Sequence, residues 1–341
     1  MKALVLEQPG IINLHDIDTP QAQVGEVLVK VSAVSVCGSD IHAYKGENVL
    51  LTYPRIMGHE VCGVVEEINV DSETPLVSGD RVMLLPYIGC GHCVACRSGK
   101  PNCCRELSVY GVHHDGAMAE FFTAPASYLI KIDDSILSEN AAIIEPLSIS
   151  AHAVRRSGVT NGDTLLILGA GPIGLGAAEV ARTLGARIIL ADIDQSRREF
   201  VQKVFGYEYV FNPLDSDFLD TLKDLTNGDF PGFIIDSTGN GKSMSRSINY
   251  LAYGGRMVFV GFYPDDLVIK DPEFHKRETE LFGSRGATRA DFQYVIGCVK
   301  AGKIEPLKFI THRAKFINGK EAFDHWVSLG GTVFKALFTI E

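Results

Sequence analysis

The pattern of hydrophobic positions along this chain changes character near residue 160. Before it, apolar residues come in short alternating or β-branched runs broken by glycine, at 27–34, 61–68 and, after the turn formers Ser78-Gly79, at 80–85. Runs of this kind predict strands with one buried face, and together a strand-rich, barrel-like domain. Asn69 follows the second run where a residue at positive φ is expected, and asparagine tolerates that conformation better than most. From Thr164 the runs become continuous, and residues 165–168 predict a strand buried on both faces. A helical pattern follows over 172–184, with Pro172 early and Gly185 just beyond it. Residues 187–191 predict the next strand. Ser196 and Glu199 predict a capping box for a helix ending near Gly206, and 233–236 and 256–260 are further strands. Such alternation builds a parallel sheet with helices on both faces. Short strands return at the end, closing in 333–340. The expected fold is therefore α/β: a β-rich domain of residues 1–149 and 286–341, with a doubly wound domain of residues 150–285 inserted in it.

Bulk properties narrow the function. The chain has 341 residues, 46% of them hydrophobic, enough for two separate cores. A formal net charge of −10 argues against a nucleic-acid partner, which would require a basic face. The N-terminal apolar run is too short for a signal peptide, and no segment nears the roughly 20 apolar residues of a spanning helix, so no membrane partner is expected. Five of the eight cysteines crowd between Cys90 and Cys104, unlike a disulfide framework, and a reducing cytoplasmic setting is expected.

Three motifs carry chemistry. Gly169-Ala170-Gly171-Pro172-Ile173-Gly174 follows a buried strand and opens a helix, the context of a dinucleotide fingerprint. The first glycine makes the tight turn, the second admits a pyrophosphate, and the third allows close helix–strand packing. Asp192 closes the next strand 18 residues after Gly174, where a carboxylate holds a ribose diol and repels a 2′-phosphate, favouring NAD over NADP. Arg197 and Arg198 lie close enough for one to touch the adenosine end. Thr238, Val260 and Gly261, at or just after the ends of two later strands, are taken as further cofactor contacts. Cys90, Cys93, Cys96 and Cys104 are spaced C-x2-C-x2-C-x7-C. The fourth cysteine of a bacterial ferredoxin run comes sooner and precedes proline, so a closed tetrahedral zinc site suits this spacing better than an iron–sulfur cluster. Zinc binding, on the order of 10 kcal/mol in small peptides, can order so glycine-rich a lobe. Gly58-His59-Glu60 sets two metal-ligating or proton-transfer side chains together, with Cys37 upstream.

Cys37-Gly38-Ser39-Asp40-Ile41-His42, Gly58-His59-Glu60, the four-cysteine lobe, Glu145-Pro146-Leu147 and the glycine fingerprint occur here in that order. In this the chain resembles, from end to end, the zinc-dependent medium-chain dehydrogenases. The resemblance implies a GroES-like catalytic domain, a Rossmann NAD-binding domain, and two zinc ions per chain, one structural and one catalytic. Glu145 stands where the alcohol enzymes have a second ligand cysteine, which is similar to the polyol branch of sorbitol, threonine and sugar-acid dehydrogenases. Carried over, Cys37 and His59 are catalytic-zinc ligands, Glu60 is a third, and Glu145 a fourth, directly or through water. Zinc lowers the pKa of bound water from about 15.7 to about 7 and should acidify a substrate hydroxyl likewise, after which hydride passes to the nicotinamide. Ser39 and His42 resemble the family's proton relay. A homodimer or homotetramer is implied, paired through the inserted sheet near residues 256–262.

For the substrate, the Cys103-Cys104 pair and the stretches at 109–116, 151–156 and 271–288 are similar to bacterial L-galactonate or L-gulonate 5-dehydrogenases. A hexonate needs a cation for its carboxylate: Arg285 is the first candidate, then His113, His114 and Lys276. Arg285 meeting cofactor phosphate or an acidic residue instead is the competing role. Rival readings are a neutral-polyol or L-threonine dehydrogenase, a non-catalytic nucleotide-binding protein, and a regulatory zinc-lobe protein.

Overall fold

Strand Glu26–Val36 carries valine at 27, 29, 31, 34 and 36 and is buried along most of its length, as a strand in the middle of a sheet must be. It pairs antiparallel with Glu60–Asn69, with Phe121–Pro125 and, at its C-terminal end, with Ala336–Thr339. The computed structural model in which these pairings occur describes residues 1–70 and 73–340. The chain forms two units, Met1–Glu145 with Val299–Glu341 and Pro146–Cys298. In the first, the sheet order is Leu129–Lys131, Arg81–Leu84, Glu60–Asn69, Glu26–Val36, Ala336–Thr339, His312–Lys315. Two register shifts along the Glu26–Val36 pairing with Glu60–Asn69 add the twist a curled sheet needs. The core beneath it includes Trp326, whose ring lies 4.7 Å from that of Phe338.

Asn69 does not take the positive φ expected of it. It stays in its strand opposite Glu26 and donates from Nδ2 to Ala22 O at 2.8 Å, while Gly25, at φ 92°, makes the turn. The side-chain bond serves an extended asparagine as well as a turned one, so residue type alone did not decide its conformation.

The second unit is a parallel sheet ordered Val210–Phe211, Arg187–Ala191, Thr164–Leu168, Phe233–Asp236, Arg256–Phe259, Glu280–Gly283. Its central strand Thr164–Leu168 is apolar after Thr164 and pairs on both sides, as its unbroken pattern predicts. Helix Gln195–Phe205 begins earlier than the Ser196–Glu199 box suggests. Asp194 is the N-cap, its carboxylate accepting the N–H groups of Ser196 and Arg197, with the Ser196 hydroxyl turned onto it. A carboxylate two residues ahead of the first N–H group that it accepts is a charged acceptor, and its charge interacts favourably with the positive end of the helix dipole. Arg256–Phe259 cannot offer a free edge for subunit pairing, because Phe233–Asp236 and Glu280–Gly283 already flank it. The sheet's edges are Val210–Phe211 and Glu280–Gly283. The unit also continues past residue 285. Asp291 of helix Arg289–Lys300 accepts from Arg155 Nε at 2.8 Å and bonds His152 Nδ1 at 2.9 Å, holding that helix to Ile144–Ser157. Among the described residues no helix is long and apolar enough to cross a membrane.

Candidate functional site

Two neighbouring strands and a helix deliver the first cluster. Cys37 follows strand Glu26–Val36 and caps the short helix Gly38–Tyr44, its N–H donating to Asp40 Oδ2 at 2.9 Å. His59 precedes strand Glu60–Asn69, after Gly58 at φ 92°, where a Cβ would meet Met118 at 2.8 Å. Glycine is required there on both counts. Glu145 lies in the first turn of helix Ile144–Ser157. The Cys37 Sγ, a His59 ring nitrogen and a Glu60 oxygen lie within 4.8 Å of one another.

Burial makes this a site with a charge to balance. Asp40, His59, Glu60, Glu145 and Lys335 are all less than a tenth exposed. Burial by itself lowers the His59 pKa, yet the Cys37 sulfur, Asp40 and Glu145 outweigh it and raise it well above the ordinary value. Burial pushes Glu145 up to about 7, against the pull of His59. Without a metal, protons thus gather where anions outnumber cations. A divalent cation would satisfy the same excess with a thiolate, imidazole and carboxylate, the donor set of a catalytic zinc site. His59 Nδ1 and Glu145 Oε2 are buried with no hydrogen-bond partner among the described residues, which is what open ligand positions require. These residues fit the metal.

The two glutamates differ. Glu60 sits opposite Ser35 in register and accepts its hydroxyl, and both Glu60 oxygens accept from the Lys335 ammonium. Lys335 also donates to Val36 O at 3.3 Å. Glu145 takes one bond, from the Tyr87 hydroxyl to Oε1, leaving Oε2 open. Burial and Glu145 raise the Tyr87 pKa, keeping it a donor. Lys335 escaped the sequence reading; its signal was a lone cation inside the apolar run 333–340. Ser39 Oγ is buried without a partner among the described residues, and His42 is exposed and bonded through Nδ1 to Glu47 at 2.6 Å.

The sulfurs of Cys90, Cys93, Cys96 and Cys104 also lie within 4.8 Å of one another, with none in a disulfide. Backbone N–H groups of Cys90 and Glu106 reach Cys104 Sγ at 3.2 and 3.3 Å, and that of Cys93 reaches Cys90 Sγ at 3.4 Å. Backbone N–H groups at Cys96 and Arg105 pull the Cys93 thiol down to about 6. Four converging sulfurs held by N–H donors fit a closed zinc site. Cys103 is exposed and outside the set, while Cys62 and Cys298 are buried.

In the second unit a pocket of about 420 Å³ is walled by Gly169, Gly171, Asp192, Arg197, Thr238, Lys242 and Arg246, among others. Pro172 and Ile173 open the helix Pro172–Thr183. Gly174 packs so closely that a Cβ would lie 1.8 Å from Gly169 O. Asp192 Oδ2 accepts the Ala170 N–H at 2.7 Å and Oδ1 that of Asp194 at 2.8 Å, which fixes the carboxylate at the pocket wall. Arg197 Nη1 is 3.9 Å from it, whereas Arg198 turns back to Asp192 O at 2.7 Å. Val260 and Gly261 follow strand Arg256–Phe259, outside the pocket's wall.

The carboxylate-binding candidates fall in both units. Arg285 is exposed in the second unit, as is Lys276, whose ammonium pairs with Glu273 at 2.8 Å. His113 accepts the Val109 N–H at 3.2 Å. His114 faces a cavity of about 470 Å³ with Tyr110 and Glu26, whose wall includes none of Cys37, His59, Glu60 and Glu145.

Comparison with known proteins agrees with this chemistry. Residues 23–134 match the alcohol dehydrogenase GroES-like domain, and residues 172–301 match the zinc-binding dehydrogenase family. The chain is 38% identical over 339 residues to the L-galactonate-5-dehydrogenase of Escherichia coli (strain K12), covering 99% of each. It is 33% identical over 352 residues to an L-threonine 3-dehydrogenase of Pyrococcus horikoshii, covering 100% of this chain and 99% of the other. An alcohol dehydrogenase of Escherichia coli CFT073 (RspB), solved with NADH, shares its fold with a TM-score of 0.92 at 31% identity, over 99% of both chains.

Proposed function

The chain belongs to the zinc-dependent alcohol dehydrogenase family, and from that premise we propose that it oxidises the C5 hydroxyl of a hexonate, L-galactonate or L-gulonate, to a keto acid. It is an NAD-linked, zinc-type dehydrogenase of alcohols and polyols. The observation that carries the finer reading is the end-to-end likeness to an L-galactonate-5-dehydrogenase.

Cys37, His59 and Glu60, whose ligand atoms lie within 4.8 Å of one another, would hold the catalytic zinc, and Glu145, whose Oε2 is open, would complete the shell directly or through water. When bound, zinc supplies the Lewis acidity that makes a hydroxyl a better acid, and NAD supplies the hydride acceptor. Tyr87 orients Glu145 through Oε1. Ser39, whose buried hydroxyl has its bonding capacity free, takes the substrate proton, and exposed His42 returns it to solvent. Asp192 fixes the adenosine ribose, and Cys90, Cys93, Cys96 and Cys104 hold a second zinc that shapes their lobe. Arg285 takes the hexonate carboxylate.

The test is a panel of hexonates, hexitols, pentitols and L-threonine with NAD, followed by absorbance of the reduced cofactor. A hexonate should show the highest kcat/KM. Arg285→Leu should lower hexonate turnover by about 10- to 150-fold, the worth of one charged hydrogen bond, and leave a neutral polyol nearly unchanged. Preference for L-threonine or a neutral polyol overturns the hexonate reading, and equal losses on both substrates overturn the role of Arg285.

A further inference from the structure

Beneath the dinucleotide pocket lies a carboxylate that reaches neither solvent nor the pocket wall. Asp236 ends strand Phe233–Asp236 and is fully buried, and the wall begins at the next residue, Ser237. We propose that Asp236 is a positioning residue for the dinucleotide. Through Thr238 and Ser243 it fixes the segment that presents Asn240, Lys242 and Arg246 to the pocket.

A buried carboxylate is costly unless donors surround it. Asp236 has three, and the donors all come from pocket-lining residues. Its Oδ1 accepts the Thr238 N–H at 2.9 Å and the Thr238 hydroxyl at 2.6 Å, and its Oδ2 accepts the Ser243 hydroxyl at 2.8 Å. Having donated its proton, the Thr238 hydroxyl accepts the Asn240 N–H at 3.1 Å. Asn240 Oδ1 in turn accepts the N–H groups of Lys242 and Ser243 at 3.0 and 3.1 Å, capping the short helix that carries Lys242 and Arg246. Every donor in this chain points back towards Asp236, so the bonds polarise one another in one sense. Ser237 Oγ adds a tie to Leu168 O and Gly169 O, both at 3.1 Å, joining the segment to the first fingerprint glycine. The segment also has little room to shift, since a Cβ at Gly261 would lie 2.1 Å from Gly239 N.

Side chains ordered before the ligand arrives need not be ordered by it, and affinity gains accordingly. Because Asp236 touches neither cofactor nor substrate, its removal should change dinucleotide affinity and leave turnover at saturating cofactor intact. The inference rests on NAD as the cofactor and is independent of which alcohol is oxidised.

The experiment is fluorescence titration of the zinc-loaded protein with NADH, beside KM for NAD, kcat and zinc content. Asp236→Ala should weaken NADH binding about 10-fold or more and raise KM for NAD in parallel. Its kcat should stay within about twofold and its zinc content unchanged. Asp236→Asn, which keeps the shape and one acceptor oxygen, should recover most of the affinity. Thr238→Val has nearly the native shape but breaks the link to Asn240, so it should weaken NADH binding even if Asp236→Ala does not fold. Combining Thr238→Val with Asp236→Asn should give less than the product of the separate losses, since the two act through one chain of bonds. Native NADH affinity in Asp236→Ala or Thr238→Val overturns the proposal. So do strictly additive losses, or a fall in kcat with KM unchanged.

Discussion

Replacing Lys335 with methionine removes the cation from a carboxylate that has no route to water. Lys335 is 4% exposed and Glu60 0%, so solvent does not screen the pair. The Lys335 ammonium meets both Glu60 oxygens, and with it gone, among the described residues, only the Ser35 hydroxyl still donates to that carboxylate. Stranding a buried charge in this way costs about 3–5 kcal/mol, a large share of the roughly 5–15 kcal/mol by which proteins are stable. Trp326, the chain's one tryptophan, lies in the core of the unit that contains the pair and reports on that unit alone. Urea unfolding of the zinc-loaded protein, followed by Trp326 fluorescence, should show the midpoint falling by roughly 1–2.5 M for a slope of about 2–3 kcal/mol/M. The double variant Lys335→Met with Glu60→Gln should recover most of the loss, because removing both charges leaves neither stranded. A single variant within about 0.5 kcal/mol of the parent, or a double variant no better than the single, would refute this account of the pair.

Two further outcomes follow from the other clusters. Cys96→Ser should lower bound zinc, measured by elemental analysis, from about two ions per chain to about one, and should make residues 90–106 more open to protease. Two retained ions would show that the four sulfurs are not one site. For Asp291, burial raises the carboxyl pKa, but bonds from His152, Arg155 and Thr288 prevail and hold it well below the usual carboxylate range. A folded pKa below the unfolded one means its contribution is complete above about pH 4 and fades as the pH falls further. Asp291→Asn should therefore cost about 1.5–3 kcal/mol at pH 7 by thermal or urea unfolding, with the gap to the parent closing in acid. A gap that does not narrow in acid would exclude a role for the charge.

What was legible in advance was local. Cys90, Cys93, Cys96 and Cys104 fall within 15 residues of one another, and the structure brings their sulfurs together with little help from elsewhere. The glycine fingerprint, its buried strand and Asp192 belong to one strand–helix–strand run. What escaped was where two acceptors competed or where strands met. Asp194, two residues earlier, is the N-cap in place of Ser196, its charged carboxylate accepting two backbone N–H groups and the Ser196 hydroxyl. Arg256–Phe259 is an interior strand because a sixth strand, Glu280–Gly283, pairs beside it, which neither strand's sequence shows.

The sequence by itself determined the fold class, the dinucleotide motif and the residue types that can hold metal, because period, spacing and side-chain chemistry are properties of neighbours along a chain. Only the tertiary structure decided which partners the two glutamates meet. Glu60 follows His59 directly, and adjacency says nothing of what each side chain meets. Strand pairing also sets Glu60 beside Ser35 and brings Lys335 to it from 275 residues away, while Glu145 keeps a buried oxygen open. A strand's neighbour across the sheet is chosen by register, and register is not written in either strand alone.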